Sequence, residues 1–164
     1  MRYIITDKQY RILKEQTEQV LKLPSVDYFG GWDSLQKYLA AKNNPPYSLE
    51  GELDLADSNV ISLGNLTEVG NMLELFNSKV TNLGNLTSVG RNLHTYGTGL
   101  ESLGNLTYVG GDLDLKMTDV LDFGNLKKVG GNLELGACKI LFNYKSPKKI
   151  RSIVDVGGNI KTKL

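Results

Sequence analysis

Apolar side chains return along this chain every twenty positions. From Glu50 to Ile140 the sequence holds four and a half copies of one 20-residue unit, starting at Glu50, Gly70, Gly90, Gly110 and Gly130. The consensus is G-G-x-L-x-L-x-x-x-x-V-x-x-L-G-N-L-x-x-V. Leu53, Leu73, Leu93, Leu113 and Leu133 share one column, and Leu55, Leu75, Thr95, Leu115 and Leu135 the next. Val60, Val80, Leu100, Val120 and Ile140 form a third, and Leu63, Leu83, Leu103 and Phe123 a fourth. Leu66, Leu86, Leu106 and Leu126 follow, then Val69, Val89, Val109 and Val129. A period that does not drift means that each unit makes one coil and buries its apolar side chains against the next.

Twenty residues are too few for two packed helices. The L-x-L pair has period 2 and predicts a short strand with both leucines inward. Stacked coils place these strands in a parallel ladder. The Leu66-x-x-Val69 spacing fits either a helical turn or a second, bent strand. Gly64, Gly84, Gly104 and Gly124 read as corners that need positive φ. The pairs Gly110-Gly111 and Gly130-Gly131 mark the corner before the strand. Asn65, Asn85, Asn105 and Asn125 read as an inward or corner ladder satisfying turn backbone. The N-L-T triplets at Asn65, Asn85 and Asn105 match a glycosylation acceptor but follow from the repeat itself.

The pattern changes at both ends. Met1 to Thr6 reads as an extended arm. Tyr10, Leu13, Thr17, Val20 and Leu21 predict an amphipathic helix over 7–22, stopped by Pro24. Gly30-Gly31 predicts a turn before a second helix over 33–42, capped by Asp33 or Ser34, with Leu35, Tyr38 and Leu39 inward. Asn43-Asn44-Pro45-Pro46 reads as a tight linker. Residues 1–48 then serve as a helical N-terminal cap over the open first coil, with Trp32 as a plug between helix and solenoid rather than a partner hot spot. The solenoid runs over 49–164, with an insertion at 141–149 and a terminal strand at 157–164. Ile150, Ile153 and Val156 resume the fourth, fifth and sixth columns. Either the insertion folds over the last coil or that coil presents an open edge.

The run L-x-x-L-x-x-V-G-G-x-L-x-L resembles a leucine-rich repeat, and is similar in particular to the receptor L-domain subtype. The resemblance covers about Leu49 to Ile140 and, more loosely, Ile150 to Leu164. It implies a right-handed parallel solenoid used for protein recognition or as a scaffold, and it brings no catalytic residue. The fold class expected is mainly β, a short right-handed parallel β-solenoid with an α-helical cap.

At 164 residues with 40% apolar and 23% charged side chains, the chain has the composition of one ordinary globular domain. There is no apolar run long enough for a transmembrane helix, so no membrane partner is expected. One cysteine, Cys138, and the lack of a leader-like N-terminus point to the cytoplasm, whether of a cell or of an infected host, or to a virus particle.

Charge is distributed unevenly. Residues 50–140 carry twelve acidic and six basic side chains, a net of −6, and residues 141–164 carry one acidic and six basic, a net of +5. Lys145, Lys148, Lys149 and Arg151 lie in this basic end, the one candidate for nucleic acid, against which the acidic body argues. A protein partner or a second copy of the chain fits better.

The central outward column of the L-x-L strands is Asp54, Glu74, His94, Asp114 and Glu134. With the neighbouring Phe76 and Tyr96 it makes an acidic face with an aromatic patch, and these seven residues are the candidate binding face. Chemistry is sparse. A single histidine rules out multi-histidine metal sites built from one copy of the chain. No phosphate-binding or dinucleotide motif occurs, and no cofactor or metal is expected. Acid pairs on neighbouring coils are the one enzymatic option, as in a carbohydrate-active solenoid, but a short strand face offers no cleft to raise a catalytic pKa. The expectation is a non-enzymatic module, either a regulatory or inhibitory binder using the strand face or a structural component of an assembly such as a virion.

Overall fold

Each 20-residue unit makes two short strands, and both stack on the equivalent strands of neighbouring units. The structure is a computed structural model that describes Thr6 and residues 19–163. It is a mainly β, right-handed parallel solenoid with a short N-terminal α-helical region. The L-x-L pairs form one six-stranded sheet: β3 (Leu53–Asp54), β5 (Leu73–Glu74), β7 (Leu93–His94), β9 (Leu113–Asp114), β11 (Leu133–Glu134) and β13 (Ile160–Lys161). Their partners lie twenty residues apart, as in Leu73↔Leu93 and His94↔Asp114. The Leu66-x-x-Val69 segment is a strand, not a helical turn. It belongs to a seven-stranded sheet of β1 (Leu21–Leu23), β2 (Tyr47–Leu49), β4 (Leu66–Val69), β6 (Ser88–Val89), β8 (Tyr108–Val109), β10 (Lys128–Val129) and β12 (Asp155–Val156). All ladders are parallel.

The six apolar columns line the space between the sheets and are buried throughout, apart from a partly buried Val60. Burial at about 25 cal/mol per Å² makes these stacked leucines the main source of stability. Thr95, the polar exception, is fully buried and donates its Oγ1 to Asp114 O at 2.7 Å. A further column, Ser58, Ser78, Thr98, Thr118 and Cys138, sits where the chain leaves the L-x-L strand. Thr98 and Thr118 donate to the carbonyls of Thr95 and Leu115 at 2.8 Å. These residues close turns whose third position has positive φ: Asp57, Asn77, Gly97, Met117 and Ala137, at 51–71°. That is the pattern of a type II turn, which favours glycine or asparagine.

The second corner follows the sequence reading. Gly64, Gly84, Gly104 and Gly124 have φ of 50–59°. Their N–H groups donate to the side chains of Ser62, Asn82, Ser102 and Asp122 at 2.8–3.2 Å. The asparagines that follow lie at the corner, not inside. Asn85 donates to Asn65 Oδ1 at 3.0 Å, and Asn125 to Gly104 O at 3.0 Å. The threonines of the N-L-T triplets donate to the carbonyl one coil below: Thr87 to Thr67 at 2.9 Å and Thr107 to Thr87 at 3.0 Å. The triplet is thus a stacking device.

The glycine before the L-x-L strands, doubled ahead of β9, β11 and β13, is a close-packing device. A Cβ on Gly90, Gly110, Gly130 or Gly157 would collide with the carbonyl oxygen of the glycine below. On Gly111, Gly131 or Gly158 it would collide with the side-chain oxygen of Asn92, Asp112 or Asn132. Those oxygens are in use. Asn92 accepts from Asp112 N at 2.9 Å, Asp112 from Asn132 N at 2.6 Å and Asn132 from Asn159 N at 2.9 Å.

At the N-terminal end, α1 (Trp32–Ala40) takes the place of the helix predicted over 33–42 and buries Leu35 and Leu39. It starts from Gly31 without a side-chain cap, so neither Asp33 nor Ser34 plays that part. Trp32 is partly buried and packs against the core. Asn43 and Asn44 both adopt positive φ, as a tight linker requires. The extended arm over 1–5 and the body of the helix predicted over 7–22 lie outside the described residues. The far end of that helix is corrected: Leu21 and Lys22 are in β1, paired with Tyr47 and Ser48. Leu21-Lys22-Leu23 is itself an L-x-L, and a sheet edge needing backbone partners outweighed its helical spacing.

At the other end, Asn159 follows Asn132 by 27 positions instead of the 20 that separate Asn132 from Asp112, an insertion of seven. It forms a 3-10 turn (Lys139–Phe142) and α2 (Pro147–Arg151), with Ser146 capping α2 through Lys149 N. Ile150 and Val156 fill the fourth and sixth columns, but Ile153 does not fill the fifth. It is 45% exposed, and Val154 is buried in its stead, because the turn leaving α2 shifts the chain by one residue. The insertion folds over the last coil. Arg151 Nη1 donates to Val156 O, and Nη2 to Gly158 O at 2.5 Å. In earlier coils the carbonyls at these positions accept from the next coil, as Val129 O does from Gly157 N and Gly131 O from Gly158 N. The guanidinium takes the place that a following coil's N–H donors hold in the earlier coils.

Candidate functional site

The outward residue of each L-x-L strand has its side chain on the solenoid surface, because the leucines on either side face the core. Glu74, His94, Asp114 and Glu134 are half-buried by their neighbours in the column, and Asp54 at its end is exposed. Much of this column is built into the turn that follows. Asp54 Oδ1 accepts Ala56 N at 2.9 Å, Glu74 Oε1 accepts Phe76 N at 3.1 Å, and Asp114 Oδ1 accepts Lys116 N at 2.9 Å. The acidic residues thus satisfy outward N–H groups that the ladder leaves free.

The remaining oxygens make the face less acidic than its composition. Glu74 Oε2 bonds His94 Nδ1 at 2.8 Å. Lys116 Nζ bridges Asp114 at 3.1 Å and Glu134 at 2.6 Å, and Lys161 Nζ reaches Glu134 at 2.7 Å. The hydrogen bond from Lys116, then that from Lys161, hold the Glu134 carboxyl below the usual carboxylate range. The bond to Glu134 likewise raises Lys116 above an ordinary lysine. The column therefore divides. Its C-terminal half is ion-paired, while Glu50, Glu52, Asp54 and Asp57 at its N-terminal end have no ion pair with any described residue.

Beside the column, Phe76 and Tyr96 stack with ring centroids 5.4 Å apart and planes 17° apart. Lys116 Nζ lies 5.9 Å from the Tyr96 centroid, a cation over the outer face of the pair. Phe76 is 38% exposed. Glu74, Phe76, His94, Tyr96 and Asp114 converge with Ala56 on one open cleft of about 420 Å³. Asp54 and Glu134 stand on the same strand face at its two ends and do not line that cleft. No family model matches the chain, and no curated protein or solved structure matches it either. Its geometry is what speaks for it.

Elsewhere the surface offers less. A groove of about 690 Å³ separates the Gly30–Asp33 turn from the first coil and is lined in part by Trp32, Val60 and Ile61. In the basic end, Arg151 caps the last coil, and Lys149 donates to Asn143 O at 3.0 Å and lies over the Tyr144 ring. Lys145 and Lys148 are exposed. Among the described residues no three His, Cys, Asp or Glu side chains converge on a metal position, and no helix is long and apolar enough to cross a membrane. Cys138 is buried against Thr118 Oγ1 at 3.2 Å, and burial pushes its thiol up, away from the reactive thiolate.

Sequence reasoning missed Lys116 as the link between Asp114, Glu134 and Tyr96. The D-x-K spacing of Asp114 and Lys116, with Glu134 twenty positions past Asp114, was the available signal. It also missed Ala56 as the small residue that leaves the end of the aromatic stack open.

Proposed function

We propose that this protein is a non-enzymatic interaction module that binds another protein through the outward face of its L-x-L strands. Asp54, Glu74, Phe76, His94, Tyr96, Asp114 and Glu134 form the recognition surface, as the strand face does in the leucine-rich repeats that the chain resembles. The observation that carries this reading is the Phe76–Tyr96 stack, an aromatic pair left partly exposed in the middle of a polar face. Two features support a binder over a catalyst. The Glu134 carboxyl is held low, whereas a general acid needs a raised pKa, and the cleft is open. We place this binder in a reducing cytoplasm, where the buried Cys138 stays a thiol. The regulatory binder is favoured over an end-to-end assembly unit because Arg151 occupies carbonyls that an added coil would use.

The test is quantitative capture from the native cell with wild type, Phe76→Ala/Tyr96→Ala, and a control reversed on the opposite sheet, Glu68→Lys/Lys128→Glu. The strand-face variant should lose the stoichiometric partner and the control should keep it, with both folded. Equal capture by all three would refute the face.

A further inference from the structure

Positions 54–56 and 114–116 are equivalent in the repeat, and the chain makes the same local turn at both. Asp114 holds the Lys116 backbone N–H with Oδ1 at 2.9 Å and the Lys116 ammonium with Oδ2 at 3.1 Å. That ammonium lies over Tyr96. Asp54 holds the Ala56 backbone N–H with Oδ1, also at 2.9 Å. Residue 56 carries only a methyl group, however, and Asp54 Oδ2 has no hydrogen bond or ion pair to any described residue.

The aromatic pair connects the two positions. Phe76 and Tyr96 come from adjacent coils and stack along the coil axis. The face of Phe76 turned away from Tyr96 is therefore turned toward the coil of Ala56, and both residues line the cleft. Along the solenoid the column reads Ala56, Phe76, Tyr96, Lys116. One end of the ring stack is closed by a cation held on the carboxylate of its own coil. The other end has the ring face and the carboxylate but no cation.

We infer that the cleft between Ala56 and Phe76 receives an arginine side chain of a partner protein, its guanidinium stacked on the open face of Phe76 and bonded to Asp54. The inference rests on the reading of this face as a protein-binding surface. Arginine is chosen over lysine because a planar guanidinium stacks on a ring and still donates sideways to a carboxylate. Charge complementarity points the same way. Glu52 and Asp57, close to Asp54 in the chain, have no ion pairs to described residues, whereas the far end of the column is neutralised by Lys116 and Lys161.

The probe is N-acetyl-arginine methylamide, titrated into the isotope-labelled full chain beside the isosteric, uncharged citrulline compound. Saturable amide shifts are expected at Asp54, Ala56 and Phe76 with arginine, and binding weaker by about tenfold or more with citrulline. Asp54→Asn retains an acceptor for Ala56 N and should fold, yet weaken arginine by a similar factor. Ala56→Lys supplies the cation within the chain and should abolish binding while raising Tm. Equal shifts from arginine and citrulline, or unchanged binding in folded Asp54→Asn, overturn the inference. If arginine fails while Phe76→Ala/Tyr96→Ala still abolishes partner capture, this inference falls and the interaction face stands. If neither has an effect, both fall.

Discussion

Gly131→Ala should be disproportionately costly for a single added methyl group. The Cβ would meet Asp112 Oδ1 and lie 2.8 Å from Gly111 C and 2.9 Å from Asp112 N. Those atoms cannot retreat freely. Gly131 N donates to Gly111 O at 2.8 Å, and Asn132 N to Asp112 Oδ1 at 2.6 Å. Separating the coils would weaken both bonds and the leucine contacts beneath them. Steric overpacking costs about 1–3 kcal/mol and a lost ladder bond about 1 kcal/mol, for a total of about 2–4 kcal/mol. At this chain length that corresponds to a drop in Tm of roughly 5–15 °C. The cause is steric, since Gly131 does not have positive φ. Adding Asp112→Ala removes the oxygen that the methyl strikes, so the double variant should be less damaged than the two single losses summed, by about 1 kcal/mol. Gly99→Ala is the control. Its Cβ would have only Thr81 Cγ2 at 3.6 Å, and it should be neutral or slightly stabilising. Urea unfolding with m held constant reads the four variants against wild type. A Gly131→Ala protein as stable as wild type, or strict additivity with Asp112→Ala, would refute the packing argument.

Other predictions follow from single residues. Met117→Gly relieves a non-glycine positive φ of 54° and should stabilise by roughly 0.5 kcal/mol after the entropic cost of glycine, measured by thermal melts. Ser78 Oγ is buried without a partner, so Ser78→Ala should cost nothing, whereas Thr98→Val, which loses a bond to Thr95 O, should cost about 1 kcal/mol in the same melts. Arg151→Met should release hydrogen-exchange protection at 155–158 and leave the Leu73 and Leu93 amides unchanged, because coils answer chiefly to their neighbours. The folded Glu134 carboxyl is depressed, so its stabilisation is complete above the ordinary carboxylate range and lost as pH falls through the lower folded value. The Tm difference between wild type and Lys116→Met should therefore shrink on acidification below pH ~4.

The features visible in sequence were those that repeat with one residue type. The leucine columns and the glycine corners gave the two-sided coil, and both are where the period placed them. Features built from mixed residue types were harder to see. Ser58, Ser78, Thr98, Thr118 and Cys138 share one turn position, buried in all but the first coil, but five small side chains of three types do not look like a column. The Asn92–Asp112–Asn132–Asn159 ladder was hidden because its last step is lengthened by the insertion. β1 was read as helix because Val20 and Leu21 fit a helical face, and its pairing to β2 lies outside the 20-residue period. The acidic strand face was legible as composition, but its division into an ion-paired half and an open half needed the positions of Lys116 and Lys161 in space.

The guanidinium at the end of the stack separates two kinds of genetic information. The repeated segment works as a ruler, each unit adding about 4.8 Å of length. The terminator is written elsewhere, in the inserted segment that carries Arg151. A duplication or deletion of one unit, such as residues 90–109, would lengthen or shorten the rod without disturbing the Arg151 cap. The length of the rod and the Arg151 cap can therefore change independently of each other.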